Sequence, residues 1–380
     1  MKWKGEIIGA GMTRFGKFPY QTVSDLAHPA ILSALTDADI STRNIQAVYC
    51  GSVYLGVAAG QRILRDLGMT GIAIYNIENA CSSGSTAFRE ALIAIEAGVY
   101  ETVLVLGVEQ LSRLGKIVLP LNSDDREVAQ GMIMPALYAM RAQRHMFDYG
   151  TTIEQLAQVA VKNRRNGSLN SYAQFQTPCT MEEVLHSKPV ADPLTLNHCC
   201  PTGDGASAVV LTATERARRS SRSSVKVEAS VLTSGLYETG FRNMSSAEIS
   251  IRASKEAYEQ AGLGPKDVSL AEVHDAFTIA EILYYEALGF CAPGEGGAFV
   301  QSGATAIGGQ IPVNPSGGLL ARGHPLGATG VAQLVEAYDQ LKGRAGDRQV
   351  ANARVALAHC TGGGISGLDH AACTIHILSN

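Results

Sequence analysis

A turn of small residues, an amphipathic helix and an apolar strand follow one another near the first quarter of the chain. The turn is Asn79–Ser85, and the apolar face of the helix consists of four residues at helical spacing, Phe88, Ala91, Leu92 and Ile95. The strand, Thr102–Val108, is almost continuously apolar and rich in β-branched residues, which is typical of a parallel strand covered on both faces. Because another strand is predicted at Ile72–Ile77, this order implies a right-handed crossover and an α/β fold class.

The second half of the chain repeats this plan. A Gly-rich loop, Asn314–Gly330, precedes a helix whose apolar face consists of Val331, Leu334, Val335 and Tyr338. A buried strand at Arg354–Ala358 follows that helix. Since 380 residues exceed one ordinary hydrophobic core, we expect two or three domain-sized units. The repeated plan predicts a duplicated domain whose halves face each other across a pseudo-twofold axis.

Two stretches between the repeats differ in composition. From about Gln110 to Asp192, methionine, tyrosine and polar residues are frequent, and a helical pattern at Ile153–Asn163 is the only strong periodicity. This texture predicts an inserted subdomain built mostly of helices and loops. The segment Thr214–Ser224 is charged and Ser-rich, so we expect a linker there.

Composition excludes several classes of function. The balance of 31 basic and 35 acidic residues gives a net charge of −4 with no dense basic run, so nucleic acid is not an expected partner. No stretch has the unbroken apolar length of a membrane helix or of a signal peptide. Eight cysteines at irregular spacing do not make a disulfide framework, so we expect a reducing, cytoplasmic setting.

Four side chains that carry chemistry lie at predicted strand ends or helix starts, where α/β proteins place ligands: Cys81, His274, His324 and Cys360. At Cys81, the unpaired N–H groups and the macrodipole of the following helix would favour the nucleophilic thiolate. Taken singly, Cys81 is equally well a buried structural residue, and His274, His324 and Cys360 are more often structural than functional.

Two other readings of these residues are weaker. The Gly-rich loop lacks the Lys-Ser/Thr ending of a nucleotide-binding loop and the spacing of a dinucleotide fingerprint. The cluster His198-Cys199-Cys200 has no second Cys/His pair at zinc spacing, so we expect no metal site.

Four stretches of this chain resemble the thiolases in their order and separation: Asn79–Phe88, Glu272–Phe277, Asn314–Gly330 and Cys360–Gly364. The Gly-His-Pro core of the third stretch is the most specific of these signals. The resemblance covers essentially the whole chain. Where many thiolases have Asn-Glu-Ala-Phe, this chain has His274-Asp275-Ala276-Phe277, which is typical of the sterol-carrier-protein-type branch. This change leaves the reaction class intact but makes acetoacetyl-CoA a less secure substrate.

The resemblance implies a fold and a division of the chain. Thiolases are five-layer αβαβα sandwiches of two similar halves, with a loop domain inserted in the first half and the active site between the halves. By this resemblance residues 1–218 form the N-terminal half, including a loop domain at about 110–192, and residues 219–380 form the C-terminal half. Family members are homo-oligomers, so we expect a dimer or tetramer.

The resemblance also implies roles for the candidate residues. Cys81 would be the nucleophile that attacks a β-ketoacyl-CoA, and His324 would take its proton. His274 and His324 would stabilise the oxygen of the departing enolate, and Cys360 would protonate the enolate carbon and then deprotonate the incoming CoA. The N–H groups of Cys81 and Gly362 would hold the acyl-enzyme oxygen. The family position of Ser230 suggests a contact with the pantetheine arm. No metal or redox cofactor is implied, since CoA is itself the substrate carrier.

Three alternatives stay open at this point. A decarboxylating β-ketoacyl synthase also uses one cysteine and two basic side chains, although it has no need for a second thiol such as Cys360. Some thiolase relatives are CoA-dependent retro-aldolases that lack the cysteines. A third possibility is a non-catalytic subunit, because relatives in this branch often act with a separate zinc-ribbon/OB-fold protein.

Overall fold

The computed structural model describes residues 3–115, 119–219, 223–237, 242–364 and 369–380. The strands are β1 (Gly5–Met12), β2 (Ala47–Gly51), β3 (Ala73–Ile77), β4 (Thr102–Gln110), β5 (Pro189–Ala191), β6 (Leu194–Thr195), β7 (Asp204–Ala213), β8 (Val225–Thr233), β9 (Leu270–Glu272), β10 (Val355–Gly362) and β11 (Ala372–Ser379). The helices are α1 (Val23–Ala38), α2 (Ala59–Arg65), α3 (Ser83–Glu96), α4 (Arg126–Ala129), α5 (Met134–Tyr149), α6 (Ile153–Ser168), α7 (Met181–Leu185), α8 (Thr214–Arg219), α9 (Glu248–Ala261), α10 (Thr278–Ala287), α11 (Gly296–Gln301), α12 (Gly318–Arg322) and α13 (Leu326–Leu341).

Within the described residues, nine strands form one mixed sheet in the order β3-β2-β4-β7-β1-β8-β11-β10-β9. The first five strands belong to the first half of the chain and the last four to the second half. The halves are joined edge to edge by a short β1–β8 pairing, in which Glu6 lies opposite Lys226 and Ile7 opposite Val225. β4 was predicted as a parallel strand; it is parallel to β2 but antiparallel to β7, because β7 returns beside it after the inserted region.

Helices cover both faces of each half-sheet, which gives the five layers expected of the fold. In β4, Val103 and Val105 pack toward α3 and α13, whereas Leu104 and Leu106 pack toward α1. In β10, Ala356 faces the same central helices and Leu357 faces the outer layer of α9 and α10. Because each strand is apolar on both sides, its sequence shows a continuous apolar run rather than an alternation.

The two central helices, α3 and α13, meet at their N-terminal ends through glycine. A Cβ atom added to Gly84 would lie 2.3 Å from the carbonyl oxygen of Gly327, and one added to Gly330 would lie 2.6 Å from the Cβ of Ser85. A Cβ at Gly107, near the end of β4, would lie 2.4 Å from the Gly327 carbonyl oxygen. These backbones are therefore closer than any side chain would allow. The contact places the turn before α3 against the turn before α13.

The region between the repeats is helical and irregular, as predicted. It contains α4–α7 and the β5–β6 hairpin, and the helix predicted at Ile153–Asn163 extends to Ser168. The expected linker is only partly a loop: Thr214–Arg219 is helix α8, and residues 220–222 lie outside the described residues. The domain boundary after residue 218 stays a prediction. No helix in the described ranges combines the length and apolarity needed to cross a membrane.

We expect Gly84→Ala to destabilise the protein, because its methyl group has no space beside the Gly327 carbonyl group. Overpacking of this kind costs about 1–3 kcal/mol. Chemical unfolding monitored by circular dichroism measures the loss. The matched control is Gly264→Ala, whose added Cβ would lie 3.8 Å from its nearest neighbour, a carboxylate oxygen of Asp267. Equal stability of the two variants would contradict the prediction.

Candidate active site

The four predicted reactive side chains come together where the two halves meet. The Sγ of Cys81, one ring nitrogen of His274 and one ring nitrogen of His324 all lie within 4.8 Å of one another. The Sγ of Cys360 lies 3.3 Å from the Nδ1 of His274 and 3.3 Å from the carbonyl oxygen of Cys81. Cys81 comes from the turn before α3 and His324 from the turn before α13, while His274 follows β9 and Cys360 lies within β10. Both thiols and both imidazoles therefore share one cluster.

The turn that carries Cys81 is held by local hydrogen bonds. Ala80 adopts a left-handed conformation with φ of 49°, which is uncommon for a residue with a side chain. The Ser83 hydroxyl donates to the carbonyl oxygen of Ala80 at 2.5 Å and accepts from the Asn79 N–H at 2.9 Å. The Ser82 hydroxyl donates to the Cys360 carbonyl oxygen at 3.0 Å. The strained turn is thereby pinned to β10 of the other half.

Burial keeps the Cys81 thiol protonated. The pKa of Cys81 is raised to about 12, chiefly by desolvation of its half-buried side chain and to a smaller extent by the nearby carboxylates of Glu109 and Glu78. Hydrogen bonds from the backbone N–H groups of Gly363 and of Cys81 itself lower the pKa, but by less. The sequence suggested that the helix start would favour the thiolate, with a base to complete the deprotonation; in the structure desolvation outweighs the effect of the helix start. The thiol therefore requires a neighbouring base to react.

His324 is the predicted base, and one of its ring nitrogens lies within 4.8 Å of the Cys81 sulfur. Burial, with a smaller contribution from the charge of Arg322, lowers the pKa of His324 to about 3, so the ring is neutral. Its Nδ1 lies 2.7 Å from the hydroxyl of Thr329, and this hydroxyl donates its own proton to the Pro325 carbonyl oxygen at 3.0 Å. Because Thr329 can then only accept, Nδ1 of His324 carries the proton. Nε2 is left with a free lone pair.

His274 and Cys360 form the second pair of the cluster. Burial lowers the pKa of His274 well below its usual value, and the rings of His324, His359 and His370 add to the shift. The His274 and His324 rings stand edge to face, with centroids 5.0 Å apart. Burial raises the pKa of the Cys360 thiol well above its usual value. The pair is therefore an uncharged thiol beside an uncharged imidazole.

A buried carboxylate joins the loops that carry the two histidines. Asp275, next to His274, accepts hydrogen bonds from the N–H groups of Leu319 at 2.7 Å and Leu320 at 3.2 Å. These residues belong to α12, which immediately precedes His324. Asp275 also accepts from the side-chain amide of Asn163 at 2.8 Å. Asp275 therefore fixes one histidine loop relative to the other.

Helix α6 of the inserted region anchors this arrangement. Glu281 is fully buried and accepts from the side chains of Asn163 at 2.6 Å, Asn314 at 2.7 Å and Lys162 at 2.6 Å. The sequence analysis missed these residues, because polar positions on an amphipathic helix normally face water. The sequence signal that could have identified Lys162 and Asn163 is their position at the end of the periodic segment Ile153–Asn163.

The structure does not bring Ser230 to the cluster. Ser230 lies in β8 with no exposed surface, and its hydroxyl bonds to Nδ1 of His376 at 3.0 Å. A pantetheine arm cannot reach a hydroxyl that is buried and already engaged, so we do not assign Ser230 to substrate binding. Gly362, in contrast, packs against the Cys81 turn: a Cβ there would lie 2.3 Å from the Asn79 carbonyl oxygen and 3.2 Å from the Cys81 nitrogen. Its role as an oxyanion donor stays a prediction.

We expect Thr329→Val to slow the alkylation of Cys81 by iodoacetamide roughly tenfold, the effect of losing one hydrogen bond of about 1.4 kcal/mol. Without the hydroxyl, nothing holds the proton on Nδ1 of His324, so Nε2 is no longer reserved for the thiol. The rate is read by mass spectrometry of the Cys81 peptide. Thr329→Ser keeps the hydroxyl and should react like the unchanged protein. If Val and Ser variants react at the same rate, the assignment of the tautomer is wrong.

Comparison with known families agrees with the geometry over almost the whole chain. A family model described as "Thiolase, N-terminal domain" matches residues 6–215, and one described as "Thiolase C-terminal domain-like" matches residues 241–378.

Three curated proteins are similar to this chain. An acetyl-CoA acetyltransferase of Methanothermobacter thermautotrophicus is 41% identical over 94% of this chain and 96% of its own length. The benzoylsuccinyl-CoA thiolase subunit BbsB of Thauera aromatica is 39% identical over 97% of each chain. Human sterol carrier protein 2 is 39% identical over 94% of this chain and 69% of its own length.

Two solved structures have the same fold. One is described as an Ltp2-ChsH2(DUF35) aldolase, with a TM-score of 0.86, 26% identity and coverage of 100% of this chain and 98% of that chain. Human mitochondrial 3-ketoacyl-CoA thiolase gives a TM-score of 0.76 at 18% identity and covers 100% of this chain and 99% of that chain. With two family models that together span most of the sequence, the chain belongs to the thiolase family.

Proposed function

We propose that this thiolase cleaves a β-ketoacyl-CoA with free CoA, or condenses two acyl-CoA molecules in reverse, through an acyl-enzyme on Cys81. The observation that carries the proposal is the meeting of two thiols, each from a different half, beside two neutral imidazoles. Similarity to an acetyl-CoA acetyltransferase and to a benzoylsuccinyl-CoA thiolase subunit supports the same class of acyl transfer.

In the first step, Nε2 of His324 accepts the Cys81 proton while the sulfur attacks the 3-keto carbon of the substrate. The bond between C2 and C3 then breaks, and its electron pair leaves on a thioester enolate. Donors from His274 and His324 stabilise the enolate oxygen, the latter once its ring has taken the proton. Removing one such donor typically costs about 10²–10³ in rate.

In the second step, Cys360 gives its proton to the enolate carbon, which releases the C1–C2 fragment as an acyl-CoA, acetyl-CoA when C2 carries no substituent. The Cys360 thiolate then takes the proton of an incoming CoA thiol, and the CoA sulfur attacks the acyl group on Cys81. The bond between that acyl group and Cys81 breaks, the shortened acyl-CoA leaves, and the Cys81 thiolate regains its proton from His324. The N–H groups of Cys81 and Gly362 hold the oxygen of that acyl group. Thiol and imidazole groups supply every proton transfer, so the proposed cycle needs no metal or redox cofactor.

Cys81 and Cys360 also distinguish the proposed thiolase reaction from two rival activities. A decarboxylating synthase makes its carbanion by losing carbon dioxide and has no use for the thiol of Cys360. A retro-aldolase forms no acyl-enzyme, although the structural similarity to an aldolase keeps that reaction as the second candidate. Consumption of malonyl thioesters alone would favour the synthase. Cleavage that is independent of both CoA and Cys81 would favour the aldolase.

We expect Cys81→Ala to abolish CoA-dependent cleavage, because no covalent intermediate can form. Cys360→Ala should lower kcat by about 10²–10⁴, the usual contribution of one positioned acid or base. The assay follows loss of β-ketoacyl-CoA absorbance over esters that differ in length, branching and aromaticity, which also finds the preferred lipid or aromatic acyl group. Cys179→Ala is the control, since Cys179 lies in the inserted region away from the cluster. Full activity of Cys81→Ala would refute the mechanism.

The expected assembly is part of this proposal: a cytoplasmic homodimer or homotetramer that acts with a small zinc-ribbon/OB-fold partner. Two observations support the partner: one relative is named a subunit, and one similar structure contains a DUF35 protein. We expect light scattering of the pure protein to give the mass of two or four chains. We also expect the partner to co-purify from the native source. A monomer with full activity would argue against both.

A further inference from the structure

One buried carboxylate outside the reactive cluster joins the two halves of the molecule. Glu109, near the end of β4, has no exposed surface. It accepts hydrogen bonds from the backbone N–H groups of Val53 at 2.8 Å, Tyr54 at 3.0 Å and Gly327 at 3.3 Å. The first two residues follow β2 in the N-terminal half, and Gly327 is in the first turn of α13. A single side chain therefore ties three strand or helix ends together.

The bond to Gly327 acts on the helix that positions the base. Gly327 lies three residues after His324, and its N–H is one of those that the first turn of a helix leaves without a partner. A negative charge at this end is favoured by the helix macrodipole. The same turn holds Thr329, which orients the His324 ring. The position of this turn relative to β4 therefore decides where Nε2 of His324 points.

The groups that face Glu109 are themselves acidic or neutral. From β2 it interacts with Cys50, from the following loop with Tyr54, and from the turn before α3 with Glu78 and Cys81. Among the described residues, Glu109 forms no salt bridge, and its hydrogen-bond donors are three backbone N–H groups. Its charge is therefore balanced by backbone N–H groups alone.

We propose that Glu109 is a positioning residue of the reaction, whose ionised carboxylate holds the His324 turn in register with the Cys81 turn. This inference rests on the proposed function. When the carboxyl group is protonated, it has one acceptor oxygen fewer for three donors, and the link between the halves loosens. Activity then depends on the charge of a group that never touches the substrate.

The ionisation of Glu109 falls in the working range of the protein. Burial raises the pKa of Glu109 to about 7, although the hydrogen bonds from Tyr54, Val53 and Gly327 lower it. Because this pKa is higher than in an unfolded chain, folding favours the protonated form, and the contribution to stability falls as the pH rises from about 4 to 7. Activity changes with pH in the opposite direction to stability. It rises as the pH passes 7, because the carboxylate that holds the turn predominates only above about pH 7.

The test is Glu109→Gln, which is nearly isosteric and cannot ionise. We expect kcat for thiolysis to fall roughly tenfold, the usual effect of losing a charged hydrogen bond, with KM almost unchanged. We also expect the fall in kcat of the unchanged protein below pH 7 to be absent from the variant. The matched control is Glu101→Gln, at an exposed position just before the start of β4. This variant should keep both the kcat of the unchanged protein and its fall in kcat below pH 7.

Alkylation of Cys81 by iodoacetamide tests the proposal without substrate, so its result does not depend on the proposed function. The rate for the unchanged protein should show an inflection near pH 7 that Glu109→Gln lacks. An acid limb and inflection that persist in Glu109→Gln would assign the titration to another group, such as Glu272, and overturn the proposal. If the Gln variant does not fold, Glu109→Asp keeps the charge but shortens the reach; a fall in kcat with a retained acid limb would support the proposal, and unchanged kcat would refute it.

Discussion

The contact between the N-terminal ends of α3 and α13 is the constraint on which the rest of the structure depends. Gly84, Gly327 and Gly330 let the two backbones approach to a distance that no side chain permits. Each helix start follows a reactive turn, so the approach of the helices is also the approach of Cys81 and His324. The active site is consequently a product of how two halves pack, and neither half contains it alone.

Burial gives this cluster its chemical character. Desolvation raises the pKa values of Cys81 and Cys360 and lowers those of His274 and His324, so the resting cluster is uncharged. A neutral thiol beside a neutral imidazole transfers a proton only when an electrophile arrives, which avoids a permanent ion pair in a medium of low polarity. Hydrogen-bond direction then matters more than net charge, as Thr329 illustrates by fixing the tautomer of His324.

Two buried ion pairs lie in the layer that surrounds the cluster. Glu281 pairs with Lys162, and Glu272 pairs with Arg322, in both cases without access to water. Breaking such a pair typically costs about 3–5 kcal/mol, because it leaves one buried charge uncompensated. The first pair connects α6 of the inserted region to α10, and the second connects the end of β9, just before His274, to the end of α12, just before His324. The inserted region is therefore part of the support of the site.

The sequence by itself determined the order of the elements and singled out four candidate reactive residues, because periodicity and turn glycines are local signals: α3, β4 and α13 form where they were predicted. Only the tertiary structure decided that these residues meet. It also decided that Ser230 is buried and hydrogen-bonded to His376, and that Glu281 and Glu109 hold the surrounding loops. Those outcomes depend on contacts between residues far apart in the chain and on exclusion of water, and no local pattern encodes either one.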